Sequence, residues 1–181
     1  MLNISKLMVI VFFSTIFSIL ISQEHFIPIY SGNPYLAMNL YASSATIDTV
    51  NMTVNDEIGI FDGENCVGAG VLLDEIYVSF SLKAATDDPG TTDIDGFTPG
   101  NLITYRLWDA SSEMEITGAK VSAMYSLGEG IFASQGTVAF DLAGIDNCVN
   151  QNCSENGTCV DTGSNYICTC NGYYSGTDCE T

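Results

Sequence analysis

The cysteines are the residues whose spacing most clearly predicts chemistry, because six of the seven lie close together near the end of the sequence. They are Cys148, Cys153, Cys159, Cys168, Cys170 and Cys179. A segment this small buries too little apolar surface to fold without cross-links. Six cysteines allow three disulfides in fifteen pairings, and spacing alone selects none of them. Such a framework persists only in an oxidising compartment.

The loop of residues 87–96 holds a second group with potential chemistry, the four carboxylates of Asp87, Asp88, Asp93 and Asp95. Calcium takes six to eight oxygen ligands from flexible loops, so these aspartates are a candidate calcium site. Asp93 and Asp95 match part of a calcium-binding loop, although the glutamate that completes such a loop is missing downstream. The alternative is a solvated turn that uses aspartate and glycine for their backbone preferences.

Histidine is too scarce in this sequence to support most nucleophilic enzymes. His25 is the only histidine, and it precedes the first predicted strand. The central segment therefore has no histidine that could activate a serine or cysteine nucleophile. A carboxylate pair for glycoside hydrolysis is the alternative among 22 acidic residues, but no pair stands out. We expect a protein that is not an enzyme.

The net charge of −18, from 22 acidic and 4 basic residues, excludes two classes of partner. Nucleic-acid binding needs clustered lysine and arginine, so we expect no nucleic-acid partner. An anionic membrane surface would repel the protein for the same reason. The charge suits solubility in salty extracellular media, and it suits divalent cations.

Residues 1–22 predict a secretory signal peptide, with Lys6 ahead of an apolar stretch over residues 7–21. That stretch is shorter than the ~20 apolar residues that a membrane-spanning helix needs. Cleavage is expected after Ser22, and an uncleaved anchor is the alternative. No second apolar run follows. We therefore expect a secreted or cell-surface protein with no membrane insertion after signal cleavage.

The central segment, residues 23–143, predicts an all-β domain, because short runs of Val, Ile, Phe and Tyr alternate with turn residues. Residues 57–61 and 66–73 flank a hairpin signature. Further strands are predicted at residues 38–41, 45–50, 76–82, 102–108, 120–125 and 137–142. This number of short strands predicts an antiparallel β-sandwich followed by the small disulfide-rich segment.

Alternation assigns the faces of two predicted strands. In the first, Ile76, Val78, Phe80 and Leu82 share one face. In the second, Ile103, Tyr105 and Leu107 face one way, while Thr104, Arg106 and Trp108 face the other, which predicts partial exposure of Trp108. The odd cysteine, Cys66, is interpreted as a small buried hydrophobe, and an intermolecular bridge is the alternative.

Motifs around the six clustered cysteines carry a family resemblance. They are Asn156-Gly157-Thr158-Cys159, Cys168-Thr169-Cys170 and the ending Gly172-Tyr173 to Gly176 and Cys179. With them, residues 144–181 resemble an epidermal growth factor-like (EGF-like) domain. The resemblance implies the pairs Cys148–Cys159, Cys153–Cys168 and Cys170–Cys179. The alternatives are another disulfide-rich domain or a zinc site, although the paired Cys-x-x-Cys or histidine ligands of zinc sites are absent.

The same resemblance implies a second candidate calcium site. Calcium-binding members of the family carry acidic or amide residues just before the first cysteine and two residues after the third. Asp146, Asn147 and Asp161 occupy those places. Gly144 replaces an expected aspartate and Asn147 an expected glutamate or glutamine, so two carboxylates or their equivalents are missing and affinity should be weak. The alternative is a domain held by disulfides alone.

Three runs in the central segment are similar to a β-rich module of large secreted bacterial surface proteins. They are Phe26-x-Pro28-x-Tyr30-Ser31-Gly32-Asn33-Pro34-Tyr35, Asp56-Glu57-Ile58-Gly59-Ile60-Phe61-Asp62-Gly63-x-x-Cys66-Val67-Gly68-Ala69, and Asp95-Gly96-Phe97-Thr98-Pro99-Gly100-Asn101 continuing to Leu107-Trp108-Asp109. The similarity implies a secreted or surface setting and no catalytic residues.

Two non-enzymatic functions follow as hypotheses. The first is a secreted or cell-surface binding or adhesion module whose partner is an extracellular protein. The second is carbohydrate binding, in which a glycan stacks on exposed aromatic rings of the sandwich. Trp108 and Tyr105 are the candidate ligand-binding residues. Core packing of these aromatic residues is the alternative.

Overall fold

The computed structural model describes residues 24–148, 151–162 and 165–181, so the predicted signal peptide at residues 1–22 lies outside the described residues. In the described part, two short 3-10 helices accompany eleven strands. The strands are β1 (Met38–Ile47), β2 (Val50–Asn51), β3 (Glu57–Asp62), β4 (Asn65–Val71), β5 (Phe80–Ala84), β6 (Thr104–Asp109), β7 (Met114–Ile116), β8 (Val121–Leu127), β9 (Thr137–Gly144), β10 (Gly157–Asp161) and β11 (Tyr166–Cys170). The predicted all-β class is confirmed.

Two sheets build the sandwich. The first has the order β2-β1-β9-β8 with β5 also paired to β1, and the second has the order β4-β3-β6-β7. Leu40 and Phe140 from the first sheet meet Ile58 and Leu107 from the second in one core, and all four side chains are fully buried. The pairs are antiparallel except β1 with β9, which run parallel. Burial of apolar side chains between the two sheets is the main source of stability.

The hairpin predicted around residues 57–73 is present as β3 and β4. Asp62 pairs with Asn65, and the two residues between them form the turn. Gly63 has a φ of +60°, a conformation that glycine adopts at little cost. The alternation predicted for β6 also holds, because Tyr105 and Leu107 are buried while Arg106 and Trp108 are only partly buried.

Two strand predictions were wrong. Residues 38–41 and 45–50 are not two strands, because β1 runs unbroken through a bulge between Ala42 and Ser44. The strand predicted at residues 76–82 begins only at Phe80, and Val78 is 86% exposed. The reason is an occupied edge: β5 pairs with β1 as far as Ala42, and β2 pairs with the next part of β1. Continued in register, residues 76–79 would meet the bulge of β1 and then Thr46, which already pairs with β2.

The C-terminal segment, residues 144–181, is held by three disulfides. They are Cys148–Cys159, Cys153–Cys168 and Cys170–Cys179, the pairs that the resemblance implied. β10 and β11 form an antiparallel hairpin in which Cys159 lies opposite Cys168. At Gly157 a Cβ atom would come within 2.6 Å of Cys179 Sγ, so only glycine fits there.

Within the described residues, the structure has no helix that combines the length and apolar character needed to cross a bilayer.

Candidate functional site

Asp146, Asn147 and Asp161 lie together where the C-terminal segment meets the sandwich. Asn147 donates its backbone N–H and its Nδ2–H to the Asp161 carboxylate, over 2.9 and 3.1 Å. Asp146 accepts a hydrogen bond from the Cys148 N–H at 2.8 Å. The backbone N–H of Asp146 donates to the carboxylate of Asp48 at 3.1 Å. The structure thus brings the three predicted residues together and adds Asp48.

A lysine from the sandwich completes this junction. Lys120 ends a 3-10 turn directly before β8, and its Nζ lies 3.0 Å from Asp161 Oδ2. The Lys120 side chain is 17% exposed and that of Asp161 is 6% exposed, so this ion pair is largely shielded from water. The backbone carbonyl of Lys120 also accepts the Ile145 N–H at 3.0 Å.

Burial raises the pKa of the Asp146 carboxyl, since desolvation disfavours its charged form. The carboxylates of Asp161 and Asp48 raise this pKa further, while the Cys148 N–H and the Lys120 ammonium oppose the shift. Three acidic groups therefore share a confined space, and Lys120 supplies the positive charge that acts on them.

The arrangement of these side chains does not fit a calcium ion. Calcium needs oxygen ligands, but Asn147 turns its amide nitrogen toward Asp161. The Asp161 carboxylate also receives the Lys120 ammonium. A calcium ion at this place requires Lys120 to leave and the Asn147 amide to turn.

The acidic loop of residues 87–96 uses its carboxylates to bind its own backbone. Asp87 Oδ1 accepts the Asp95 N–H, and Asp95 Oδ1 accepts the Asp88 N–H, each at 2.9 Å. Asp88 Oδ1 accepts the Gly90 N–H at 2.8 Å, while Asp93 is exposed. These contacts favour the interpretation as a turn. Across the residues that the structure describes, no group of three or more His, Cys, Asp or Glu side chains is placed to hold a metal.

Residues 24–30, here called the N-terminal strap, cross the outer face of the second sheet. Glu57 is 1% exposed, and its carboxylate accepts the backbone N–H groups of His25 at 2.7 Å and Phe26 at 2.9 Å. The Ile29 N–H donates to the Cys66 carbonyl at 2.9 Å. The strap thereby packs on the sheet face on which Trp108 lies, with Phe26 in one cluster with Phe61 and Cys66.

Trp108 is partly covered by this strap. The imidazole of His25 stacks on the indole, and His25 Nε2 lies 2.7 Å from Glu115 Oε2. Trp108 also lines a cleft of about 500 Å³, together with Glu24, Asn55 and Glu113 among others. One face of the ring is therefore closed to a sugar, while part of the indole still borders an open cleft.

Tyr105 is not available to a ligand, so its prediction as a ligand-binding residue was wrong. The side chain is 5% exposed, and its ring packs against Phe140 with centroids 4.8 Å apart. The Tyr105 hydroxyl lies 3.1 Å from the Tyr125 hydroxyl. Tyr105 lies on the core face because it alternates with Arg106, which points outward.

Cys66 is a buried free thiol. It packs with Phe26 and Phe61 beneath the strap and is 7% exposed. Burial raises the pKa of this thiol, which keeps it protonated and unreactive. The geometry favours the interpretation as a small buried hydrophobe.

Sequence analysis missed three residues that organise these sites: Asp48, Glu57 and Lys120. Lys120 carried a usable signal, since it is one of only 4 basic residues in a strongly acidic chain. Nothing in the sequence distinguishes Asp48 and Glu57 from the other acidic residues.

Comparisons of this chain with protein-family models, with curated proteins and with solved structures found no match in any of the three.

Proposed function

We propose that this chain is a secreted or cell-surface binding or adhesion module without enzymatic activity, and that its partner is an extracellular protein. The observation that carries the proposal is a loop of exposed apolar side chains before β5. Leu73 is 87% exposed, Tyr77 77% and Val78 86%. Exposed apolar groups gathered within one short segment are typical of interaction surfaces.

The charge around this loop restricts the partner. Asp74 and Glu75 lie between Leu73 and Tyr77, and the chain as a whole carries a net charge of −18. A protein surface with an apolar pocket and a basic rim complements this arrangement. Like-charged partners would be repelled.

A triple variant tests the proposal: Leu73→Ser, Tyr77→Ser and Val78→Ser together. Because the three side chains are exposed, the variant should keep the melting temperature of the parent protein. The probe is an array of extracellular proteins, on which the triple variant should lose the signals of the parent protein. A matched control replaces exposed residues elsewhere, Val50→Ser and Val54→Ser. Equal loss of the array signals in both variants, or their retention in both, contradicts the proposal.

Carbohydrate binding is the second candidate, favoured by the position of Trp108 at the edge of its cleft. The probe is a glycan array, with the Trp108→Ala variant as the comparison. Glycan signals that disappear in this variant but persist in the triple loop variant would favour this second function. Glycan signals that are unchanged in Trp108→Ala would exclude Trp108 as the ligand-binding residue.

Two finer proposals concern the C-terminal segment and the compartment. We propose that residues 144–181 form an EGF-like domain, supported by the three disulfide pairs and by the hairpin of β10 and β11. Secretion is supported by the same disulfides, because they need an oxidising space. Calcium stays a prediction from the resemblance and has no part in the binding proposed above.

A further inference from the structure

The junction between the sandwich and the C-terminal segment buries more negative charge than a low-dielectric environment tolerates without compensation. Asp146 is 8% exposed and the Asp161 side chain 6% exposed. Asp48 directs its carboxylate at the Asp146 N–H. Buried carboxylates persist in charged form only where cations or several hydrogen-bond donors compensate them.

We propose that the Lys120 ammonium is the built-in cation of this junction and occupies the role that a divalent metal ion would otherwise fill. It reaches the Asp161 carboxylate from the sandwich side, while Asn147 donates to the same carboxylate from the C-terminal segment. The cation belongs to the chain, so its presence does not depend on the calcium concentration of the medium.

The contacts around the ion pair explain why Lys120 is well placed for this role. Its carbonyl accepts the Ile145 N–H, and this bond fixes the backbone on both sides of the junction. Asp48, which begins the turn after β1, accepts a hydrogen bond from the N–H of the next residue, Asp146. Three contacts from the sandwich therefore converge on residues 145–161, and the ammonium is the one that carries positive charge.

The inference predicts a gain of metal dependence when the charge is removed. Lys120→Gln keeps much of the side-chain length but leaves Asp161 without its ammonium. Calcium should then bind at the vacated position, at least about tenfold more tightly than to the parent protein, a ratio that corresponds to ~1.4 kcal/mol. The inference does not depend on the proposed binding function, because its readouts are calcium affinity and thermal stability.

The experiment compares the parent protein with Lys120→Gln and with the matched control Lys83→Gln, which removes the same charge from an exposed position on β5. Calcium affinity is measured by calorimetry, and the melting temperature is measured in calcium and in chelator. The parent and the control should melt at the same temperature in both media. Lys120→Gln should melt lower in chelator and recover in millimolar calcium.

Two further variants keep the inference testable if Lys120→Gln folds poorly. Lys120→Arg keeps the charge and should behave as the parent protein does. The double variant of Lys120→Gln and Asp161→Asn removes both charges, so it should fold in chelator and show no calcium response. A calcium response in the double variant, or one in the parent protein as large as in Lys120→Gln, overturns the inference. So does an unchanged melting temperature of Lys120→Gln in chelator.

Discussion

The imidazole of His25 lies flat on the indole of Trp108, with ring centroids 3.8 Å apart and planes 7° from parallel. His25 belongs to the N-terminal strap and Trp108 to β6, so this stack fastens the strap to the sheet beneath it. Trp108 is the only tryptophan of the chain. Its fluorescence therefore reports directly on whether the strap is in place.

Replacing His25 with alanine should expose the indole and loosen the strap. Aromatic pairs of this kind contribute about 1 kcal/mol, and the free energy of unfolding should fall by that amount. The emission should shift to longer wavelength and acrylamide should quench it more strongly. Tyr77→Ala, a change at an exposed site, is the control and should leave the emission unaltered. Unchanged quenching in His25→Ala would show that the stack does not shield Trp108.

Replacing Glu57 with glutamine should release the strap at its buried anchor. The carboxylate accepts two backbone N–H groups at 1% exposure, whereas a neutral amide offers one oxygen and brings unpaired donors. Hydrogen bonds to a charged group are the stronger kind, so the loss should be about 2 kcal/mol in urea unfolding. Hydrogen exchange at the Phe26 amide should accelerate. The exposed Glu113→Gln is the control, and equal losses in the two variants would contradict the role of Glu57.

The paired hydroxyls of Tyr105 and Tyr125 predict a loss of stability at alkaline pH. Burial raises the pKa of Tyr105, and the neighbouring Tyr125 raises it further; burial also raises the pKa of Tyr125. The folded state therefore favours the neutral phenols. Their contribution to stability is complete below the unfolded pKa of about 10, and it is lost as the pH rises through the folded values.

Ultraviolet titration of the phenolate checks this prediction. Tyr105 and Tyr125 should ionise only as the protein unfolds. Tyr125→Phe should remove one of these late transitions. A tyrosine population that ionises in one early step would contradict the burial of this pair.

Removing the Cys153–Cys168 disulfide should unfold the C-terminal segment and spare the sandwich. The bridge closes a separation of 15 residues, for which loop-closure entropy gives about 3 kcal/mol. The double serine variant should lose protection from proteolysis within residues 148–181, while the Trp108 emission stays as in the parent protein. Loss of the Trp108 signal in this variant would show that the two parts unfold together.

The thiol of Cys66 should resist labelling until the protein unfolds. It is buried, so a thiol reagent cannot reach it. Burial also raises its pKa, so the reactive thiolate is scarce. The native protein should react slowly, and the denatured protein should react rapidly at one thiol. A disulfide-linked dimer on a non-reducing gel would instead support the intermolecular bridge.

The sequence allowed prediction of features whose signals are local. The hairpin of β3 and β4 followed from its turn residues, and the alternation of β6 followed from side chains two residues apart. Features that depend on distant partners were not predictable in this way. The strand expected at residues 76–82 alternates correctly, but the part of β1 that it would need contains a bulge and ends at a residue paired with β2, which no local pattern shows.

At the candidate site, too, residues with a local sequence signal were predictable, and residues brought near by the fold were not. The resemblance placed Asp146, Asn147 and Asp161 near one another, and the structure does bring them together. Their true counter-charge comes from Lys120, which is distant in sequence and meets Asp161 only after the sandwich has formed. Likewise, Tyr105 was a candidate ligand-binding residue because a sugar can stack on an aromatic ring. Its burial, however, depends on Phe140 in the other sheet.

The parallel pairing of β1 with β9 has a consequence for how the chain comes to be folded. Asn39 lies opposite Thr137, so β1 must wait for a strand that is made nearly a hundred residues later. Sheets built from such distant pairs fold slowly. Until β9 has been made, β1 has an edge with unpaired backbone N–H and C=O groups, which can pair with other chains. The time before β9 has been made is thus the period of greatest aggregation risk, and completion of β9 ends it.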